Sequence, residues 1–345
     1  MIEISDLKTG NSIQVRKKET KLEKRQNGST YERPHFDVIA ESKAFRNGIL
    51  SIVPQSVIKA VEATGIKVYP RSESFTFSQD KLEMRKKITE LKLPNPKWQR
   101  YQGQECEIAF PLIAKLPSGG YDGRGVFQID SEAQLKDLHN KVGTLLLEEK
   151  LNFDYEISVM VARSPHNQAA TWPATLTIQN NGICTSTVTP VPDISDELAN
   201  KVQAAALEIA AGISLVGVMA VEMFIVGEDF YINELALRPH NSGHWSIEGC
   251  ITSQFEQHLR AILDLPLGST ALRSKYAVMG NVLGGEKSDM YRPYLHLMAR
   301  TPELKFHQYG KEVKPGRKIG HVTLCGENLL ELQLEVAHAV DYMNG

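Results

Sequence analysis

The sequence lacks several things, and each absence narrows what it can be. No run comes near the roughly 18 consecutive apolar residues of a membrane-spanning helix, so none is expected. The first residues, MIEISDLKTGNSIQVRKK, have no apolar core of the kind a secretory signal carries. Cysteine is scarce: Cys106, Cys184, Cys250 and Cys325 are spread through 345 residues with no CxxC pair. That argues against a disulfide framework or a structural zinc site and points to a reduced, cytoplasmic protein. Neither sign of charge is in excess. A formal net charge of -2 gives nucleic acid or an anionic membrane no bulk attraction. The ten histidines show no HExxH spacing, and neither a GxxxxGK[ST] motif nor a convincing Rossmann fingerprint occurs. Internal repeats and low-complexity segments are also absent.

What is present is ordinary in bulk. A content of 42% hydrophobic and 23% charged residues suits a globular chain, and its length allows two or three domains. The segment VRKKETKLEKRQNGSTYERPH within residues 1–35 is highly charged, and a solvated strand pair or mobile arm is expected there. Its interleaved glutamates weaken the case for a basic nucleic-acid tail. FDVIA reads as a strand, VPQSVIKAVEATG as a helix and IKVYP as a second strand, together a βαβ fragment. A helix is predicted from Ser78 to Pro94. Short strands follow (FPLIAKL, LLLEEKL, EISVMVARS), then a hairpin turning at Asn181-Gly182. SDELANKVQAAALEIAAGI reads as a helix capped by Asp196, and SIEGCITSQFEQHLRAIL as another. Past Leu272 come the strands YAVMGNVLGG, KFHQYGK and KPGRKIGHVTLCG, with a helix at PYLHLMAR and a last one at LLELQLEVAHAVDYMNG. The order implies an α+β architecture with an α/β N-terminal part and mostly antiparallel sheets.

Four stretches can carry chemistry. In AVEMFIVGEDFYINELA a three-residue turn sets Glu222 opposite Glu234, whereas a two-residue turn sets Asn233 opposite Glu222. With the first turn, Glu222, Phe224, Val226, Ile232 and Glu234 share one face. Facing carboxylates repel unless a proton or a cation lies between them, and magnesium is the natural cation. An idle pair at a wet strand end is the alternative. IAKLPSGGYDGRGVF ends a strand in Lys115 and continues into a glycine loop whose N–H groups can cradle phosphate. A plain hairpin turn would look the same. RPHNSGHW gathers Arg238, His240, Asn241 and His244 just after Glu234, better suited to hydrogen-bonding a substrate than to ligating a metal. YGKEVKPGRKIGH groups Lys311, Lys314, Arg317 and Lys318, either a solvated basic turn or a clamp on a phosphate monoester.

Taken in order, KxxxGGYDGRG, EExLxFxxEISV, VEMF…INELALRPHNSGH…SQFEQHLRA and YGKEVKPGRKIGH resemble the ATP-grasp family of 5-(carboxyamino)imidazole ribonucleotide synthetases. The likeness runs from about Phe36 to the end. It implies an ATP-grasp fold in three parts: an altered or truncated α/β domain (1–75), the ATP-grasp domain (76–270) and a small β-rich C-terminal domain (271–345). It also implies ATP- and bicarbonate-dependent carboxylation of 5-aminoimidazole ribonucleotide through carboxyphosphate, in purine biosynthesis, with ADP and phosphate released. Family likeness puts magnesium on Glu222 and Glu234, beside Asn233. It puts ATP phosphates on Lys115 and the loop of Gly119, Gly120, Tyr121, Gly123 and Gly125. Adenine falls to the hinge Glu148, Glu149 and Leu151, and the ribose to Glu156. Lys81 stands near ATP where the family usually carries an arginine. Tyr121, Asp122, Arg238, His240 and Asn241 would face the ribonucleotide, and Lys311 and Arg317 its phosphate. Arg238, Asp122 and Lys311 are the catalytic candidates. The partners implied are small molecules, with neither nucleic acid nor membrane, and a homodimer is expected.

The departures lie on one side. The family's opening strand and GGGQLG-type loop have no counterpart in residues 1–35, and its acidic FEN-type motif is reduced to Phe45-Arg46-Asn47. Leu176, Thr177 and Gln179 stand where the family tends to have ENxH. A ligase for another amine acceptor, or a non-catalytic nucleotide-binding paralogue, therefore remains an alternative.

Overall fold

The computed structural model describes residues 2–6, 11–17, 21–24, 30–33, 36–39, 55–119, 125–180, 182–285 and 291–344. Contacts divide the chain into two compact units, Met1–Val68 and Tyr69–Gly345. In the first, β1 (Ile2–Asp6), β2 (Asn11–Lys17), β3 (Lys21–Lys24), β4 (Thr30–Arg33) and β5 (Phe36–Ile39) form two antiparallel sheets, β1-β2-β5 and β3-β4. α1 (Gln55–Glu62) follows. The expected strand IKVYP is absent. Gly65, at φ +83, turns the chain out of α1, and Pro70 has no N–H to give a ladder. The expected βαβ fragment is therefore not formed, and Phe36–Ile39 pairs antiparallel with β2.

The second unit opens with α2 (Ser72–Gln79) and α3 (Lys81–Glu90) where one helix from Ser78 was expected. Asp80 separates them. Its extended backbone stops α2, and its carboxylate accepts the Leu82 and Glu83 N–H groups at 2.9 and 3.3 Å. A four-stranded antiparallel sheet comes next: β6 (Trp98–Tyr101), β7 (Leu112–Lys115), β8 (Val126–Ile129) and, after α4 (Glu132–Val142), β9 (Leu145–Glu149), in the order β6-β9-β7-β8.

The large sheet takes β10 (Tyr155–Arg163), β11 (Ala169–Thr171), β12 (Thr175–Asn180) and β13 (Ile183–Thr189), then, after α5 (Asp196–Gly212), β14 (Gly217–Val226) and β15 (Asp229–Ala236). α6 (Ser246–Gly249) and α7 (Gln254–Ile262) lead to β16 (Tyr276–Leu283); α8 (Tyr291–Arg300), β17 (Lys305–Gln308), β18 (Lys318–Gly326) and α9 (Leu329–Asn344) complete it. Strand order is β15-β14-β10-β12-β13-β16-β18-β17, with β11 beside β10 and every pairing antiparallel. The cap of α5 is Ser195 rather than Asp196: its hydroxyl accepts the Leu198 N–H at 3.2 Å. The helix expected over SIEGCITSQFEQHLRAIL is broken after Gly249 and restarted by the Ser253 cap.

One face of the large sheet is sealed by α5. Leu198, Val202, Ala206 and Ile209 pack on Val159, Val161, Val221, Met223 and Ile232. Its β16-β18 end is covered by α9, where a Cβ on Gly280 would lie 2.5 Å from Val340 and 2.8 Å from Val336. Gly280 thus lets the helix approach β16, the strand that carries Asn281. Gly280→Ala is expected to destabilise the fold by about 1–3 kcal/mol through overpacking, read as a lower urea midpoint with an unchanged slope.

Candidate active site

The free face of β10, β14 and β15 collects acids, and a bulge puts them there. Val226 pairs with Asp229 across a two-residue turn, Gly227-Glu228, and Met223 pairs with Ile232. The register then slips by one, so that Glu222 lies opposite Glu234 and Asn233 is the extra residue. The slip also turns the strand over. Phe230 and Ile232 are buried before it and Leu235 after it, while Asn233 and Glu234 both stay partly exposed. Ile232, expected on the acidic face, packs instead with Met223 in the core. On β10, Ser158 pairs with Glu222 and Glu156 with Phe224, which stacks on Phe153 at 4.5 Å.

Glu222 is about a quarter exposed, and its carboxyl is pushed up to about 7. Burial is the main cause; the Glu234 and Glu156 carboxylates add to it, and Arg238 and Lys318 oppose it. Burial raises Glu156 as well, against the pull of Lys115. Among the described residues no three His, Cys, Asp or Glu side chains are grouped to hold a metal ion. A cation here would take two carboxylates and the Asn233 amide oxygen, a hard, all-oxygen set that suits magnesium and leaves positions for phosphate.

Beneath this pair sits a buried ionic cluster. Glu148 accepts Arg85 Nε at 2.6 Å on one oxygen and Lys115 Nζ at 2.7 Å on the other. Burial would raise the Glu148 carboxyl, but Arg85 and Lys115 override it and hold it down to about 2. Lys115 also donates to Asn233 Oδ1 at 3.1 Å; burial lowers its ammonium, against Glu148. Lys81 reaches Glu234 Oε1 at 3.0 Å. The Glu149 carboxylate is taken by the Lys97 N–H at 2.6 Å. Gly119 and Gly125 adopt φ +84 and +76 at the ends of the β7–β8 loop, conformations glycine accepts freely. Gly120, Tyr121, Asp122 and Gly123 lie outside the described residues.

The loop after β15 adds the other half. Gln254, fully buried on α7, grips the His240 backbone as a strand would: its oxygen accepts the N–H at 2.7 Å and its nitrogen donates to the C=O at 2.8 Å. That nitrogen also donates to His244 Nδ1 at 2.9 Å. His240 Nδ1 lies 2.8 Å from Ser242 Oγ and 3.4 Å from the Ser242 nitrogen, and its Nε2 lies 3.6 Å from Glu222. Burial, with Arg238, His244 and Lys318 nearby, holds His240 well below its ordinary value. His244 falls to about 4, chiefly through burial and then His307 and Arg238. Asn241 and buried Asn281 exchange two amide bonds of 2.7 Å. His244, His321 and His307 form a stack at 4.8 and 4.5 Å, closed by Glu248 on His307 at 2.7 Å.

In the basic turn, Lys311 lies 5.0 Å over the Tyr309 ring, and its charge reaches His244. Arg317 donates to the Glu312 carbonyl at 3.5 Å, and Lys314 pairs with Glu312 out in solvent. Lys318, which carried no expected role of its own, acts on Glu222, His240 and His244 together. Sequence reasoning also missed Arg85, Gln254, Ser158 and Asn281. Their signal is spatial: Arg85 reaches the carbonyls of Ile232 and Asn233, Ser158 reaches Ser242, Asn281 reaches Asn241, and Gln254 binds the backbone of His240.

Comparison with known proteins agrees with this geometry. The chain matches the ATP-grasp domain over residues 86–255 and the phosphoribosylaminoimidazole carboxylase C-terminal domain over residues 277–334. The N5-carboxyaminoimidazole ribonucleotide synthase of Mycobacterium tuberculosis is 38% identical over 294 residues, 81% of this chain and 68% of its own length. The solved N5-carboxyaminoimidazole ribonucleotide synthetase of Thermus thermophilus superposes with a TM-score of 0.77 at 33% identity, covering 87% of this chain and 81% of that one. An Aspergillus clavatus N5-carboxyaminoimidazole synthase, solved with ADP and 5-aminoimidazole ribonucleotide, gives 0.76 at 27% identity, covering 85% and 80%. The motifs, the nine-stranded sheet with its acidic bulge, and these similarities agree: the chain belongs to the N5-carboxyaminoimidazole ribonucleotide synthase family and has the ATP-grasp fold.

Proposed function

We propose that this protein uses ATP and bicarbonate to carboxylate the exocyclic amine of 5-aminoimidazole ribonucleotide, releasing ADP and phosphate. The observation that carries the reading is the bulged pairing of Glu222 with Glu234, set between two lysines on one side and the Arg238–His244 loop on the other. Glu222, Glu234 and Asn233 would hold magnesium, which would supply charge neutralisation for the transferring phosphoryl group. The protein does the rest by placement. Lys115, fixed by Glu148 and Asn233, and Lys81, fixed on Glu234, face the phosphates, and family likeness assigns the Gly119–Gly125 loop to them as well. Bicarbonate oxygen takes the γ-phosphoryl group, giving carboxyphosphate and ADP. The ribonucleotide amine then attacks the carboxyl carbon, the carbon–oxygen bond to phosphate breaks, and the amine loses a proton. Neutral His240 and Arg238 offer donors to the carboxylate; Lys311 and Arg317 hold the ribose phosphate, and family likeness assigns Asp122 and Tyr121 to the same substrate. A homodimer goes with this reading.

A second reading, a different amine acceptor, draws on Leu176, Thr177 and Gln179: Thr177 is buried beside Glu156, with no acidic or imidazole group at these three places. One assay separates the two. Bicarbonate-dependent ADP release stimulated by 5-aminoimidazole ribonucleotide is expected; release indifferent to that compound but raised by another amine selects the second reading. Lys311→Met should raise KM for the ribonucleotide with KM for ATP unchanged, by about tenfold for a lost charged hydrogen bond.

Glu222 also predicts a pH response. The stability that its protonated form contributes is full below about 4.5 and is lost as pH rises through about 7. Glu222→Gln should therefore stabilise the ligand-free protein at pH 8 by on the order of 2 kcal/mol, seen in thermal unfolding. The same change should remove the magnesium-dependent gain in nucleotide affinity, which in the unaltered protein strengthens from pH 6 to 8 as Glu222 ionises.

A further inference from the structure

β15 is an edge strand, and two successive backbone carbonyls, those of Ile232 and Asn233, meet one partner at its bulge. Both are taken by one side chain. Arg85, fully buried on α3, donates from Nη1 to the Ile232 carbonyl at 2.5 Å and from Nη2 to the Asn233 carbonyl at 3.0 Å. Its Nε is locked on Glu148 at 2.6 Å, and Nη1 also reaches Asn95 Oδ1 at 3.0 Å. The Ile232 N–H goes outward to the Pro94 carbonyl at 3.0 Å, so the segment after α3 brackets the same residue. Asn233, the extra residue, is held through its side chain as well, by Lys115. Every one of these contacts converges on the register slip that brings Glu234 opposite Glu222.

The alternation of a strand shows what the slip does. Without the extra residue Asn233 would stand opposite Glu222, and Glu234 would turn toward the α5-facing core. A buried carboxylate there has no partner, so the bulge and the metal-facing position of Glu234 stand or fall together. A lysine at position 85 could still neutralise Glu148, but it has no fork with which to reach two carbonyls at once.

We infer that Arg85 is a positioning residue for magnesium binding: its guanidinium fork holds the β15 bulge in the register that aims Glu234 and Asn233 at Glu222. The inference rests on the proposed metal role of Glu222 and Glu234, and it adds a residue that touches neither metal nor substrate. Other buried arginines stabilise a fold without tuning a site. This one binds the backbone at the one place where the site's geometry is decided.

The test uses the full-length protein and Arg85→Lys. Titration calorimetry with ADP at graded magnesium should show the magnesium needed for half-maximal affinity rising about tenfold or more, the usual penalty for losing support behind a metal ligand. ADP affinity without magnesium should be unchanged. Hydrogen exchange in the ligand-free protein should accelerate over residues 230–236 and stay as it was in α5 and β10. If Arg85→Lys does not fold, Arg85→Gln takes its place, since Lys115 still balances Glu148. A magnesium requirement within about twofold of the unaltered protein, or unchanged exchange at 230–236, overturns the proposal. Glu234→Gln is the control. If it leaves the magnesium dependence intact, the metal reading itself has failed, and the exchange at 230–236 alone decides whether Arg85 holds the bulge.

Discussion

Two carboxylates facing each other on a half-buried sheet face cost free energy, and the rest of the site is arranged around that repulsion. Glu222 and Glu234 are opposed across β14 and β15, with Glu156 one strand over. The carboxyl of Glu222 is raised by burial first and by this repulsion second. A sheet tolerates such a row only where a cation or a proton relieves it. Here Lys81 already leans on Glu234, and Arg238 and Lys318 act on Glu222. The face is therefore poised to take more positive charge, which is what a metal ion arriving with a nucleotide would bring to the two carboxylates.

The large sheet sets the spacing of the two halves. Reading across it, Glu222 pairs with Ser158, Ser158 with Thr175, Asn281 with His321 and His321 with His307. β16, β18 and β17 continue the same sheet as β10 to β15. One continuous ladder of hydrogen bonds thus carries both the acidic row and the residues that brace the Arg238–His244 loop. Gln254 and Asn281 fasten that loop from opposite sides, one by its backbone and one by Asn241.

Much of this was legible in the sequence, because strands and turns obey local rules. The strand at EISVMVARS, the β12–β13 hairpin that pairs Asn180 with Ile183 and the apolar stripe of α5 all appear where expected, although β10 is buried on both faces rather than in alternation and Asn181 lies outside the described residues. The opposition of Glu222 and Glu234 was legible for a reason only half right: the turn has two residues, and a bulge supplies the missing offset. A bulge has no strong local signature, so Ile232 was placed on the wrong face. Arg85 was invisible because KLEMRKKITE looks like a solvated helix; only the fold reveals that one of its four basic residues points inward. IKVYP failed as a strand because its terminal proline cannot join a ladder. Local reasoning picked out the donors and acids of which the proposed site is built. It missed the shell behind them, whose partners are remote in the chain.

The charge balance of the site follows from that shell. Burial, helped by neighbouring cations, keeps His240 well below its ordinary value and His244 near 4, so both stay neutral at physiological pH. His321, stacked on His244, is pushed further still, to about 2, chiefly by burial. The positive charge on the loop side then comes from Arg238 and the lysines rather than from imidazolium. Glu148 stays ionised because Arg85 and Lys115 enclose it. Glu222, pushed up to about 7, is placed to change charge near neutrality. On the proposed metal role its ionisation favours metal binding and disfavours the empty fold, so one carboxyl would link the stability of the protein to the occupancy of its site.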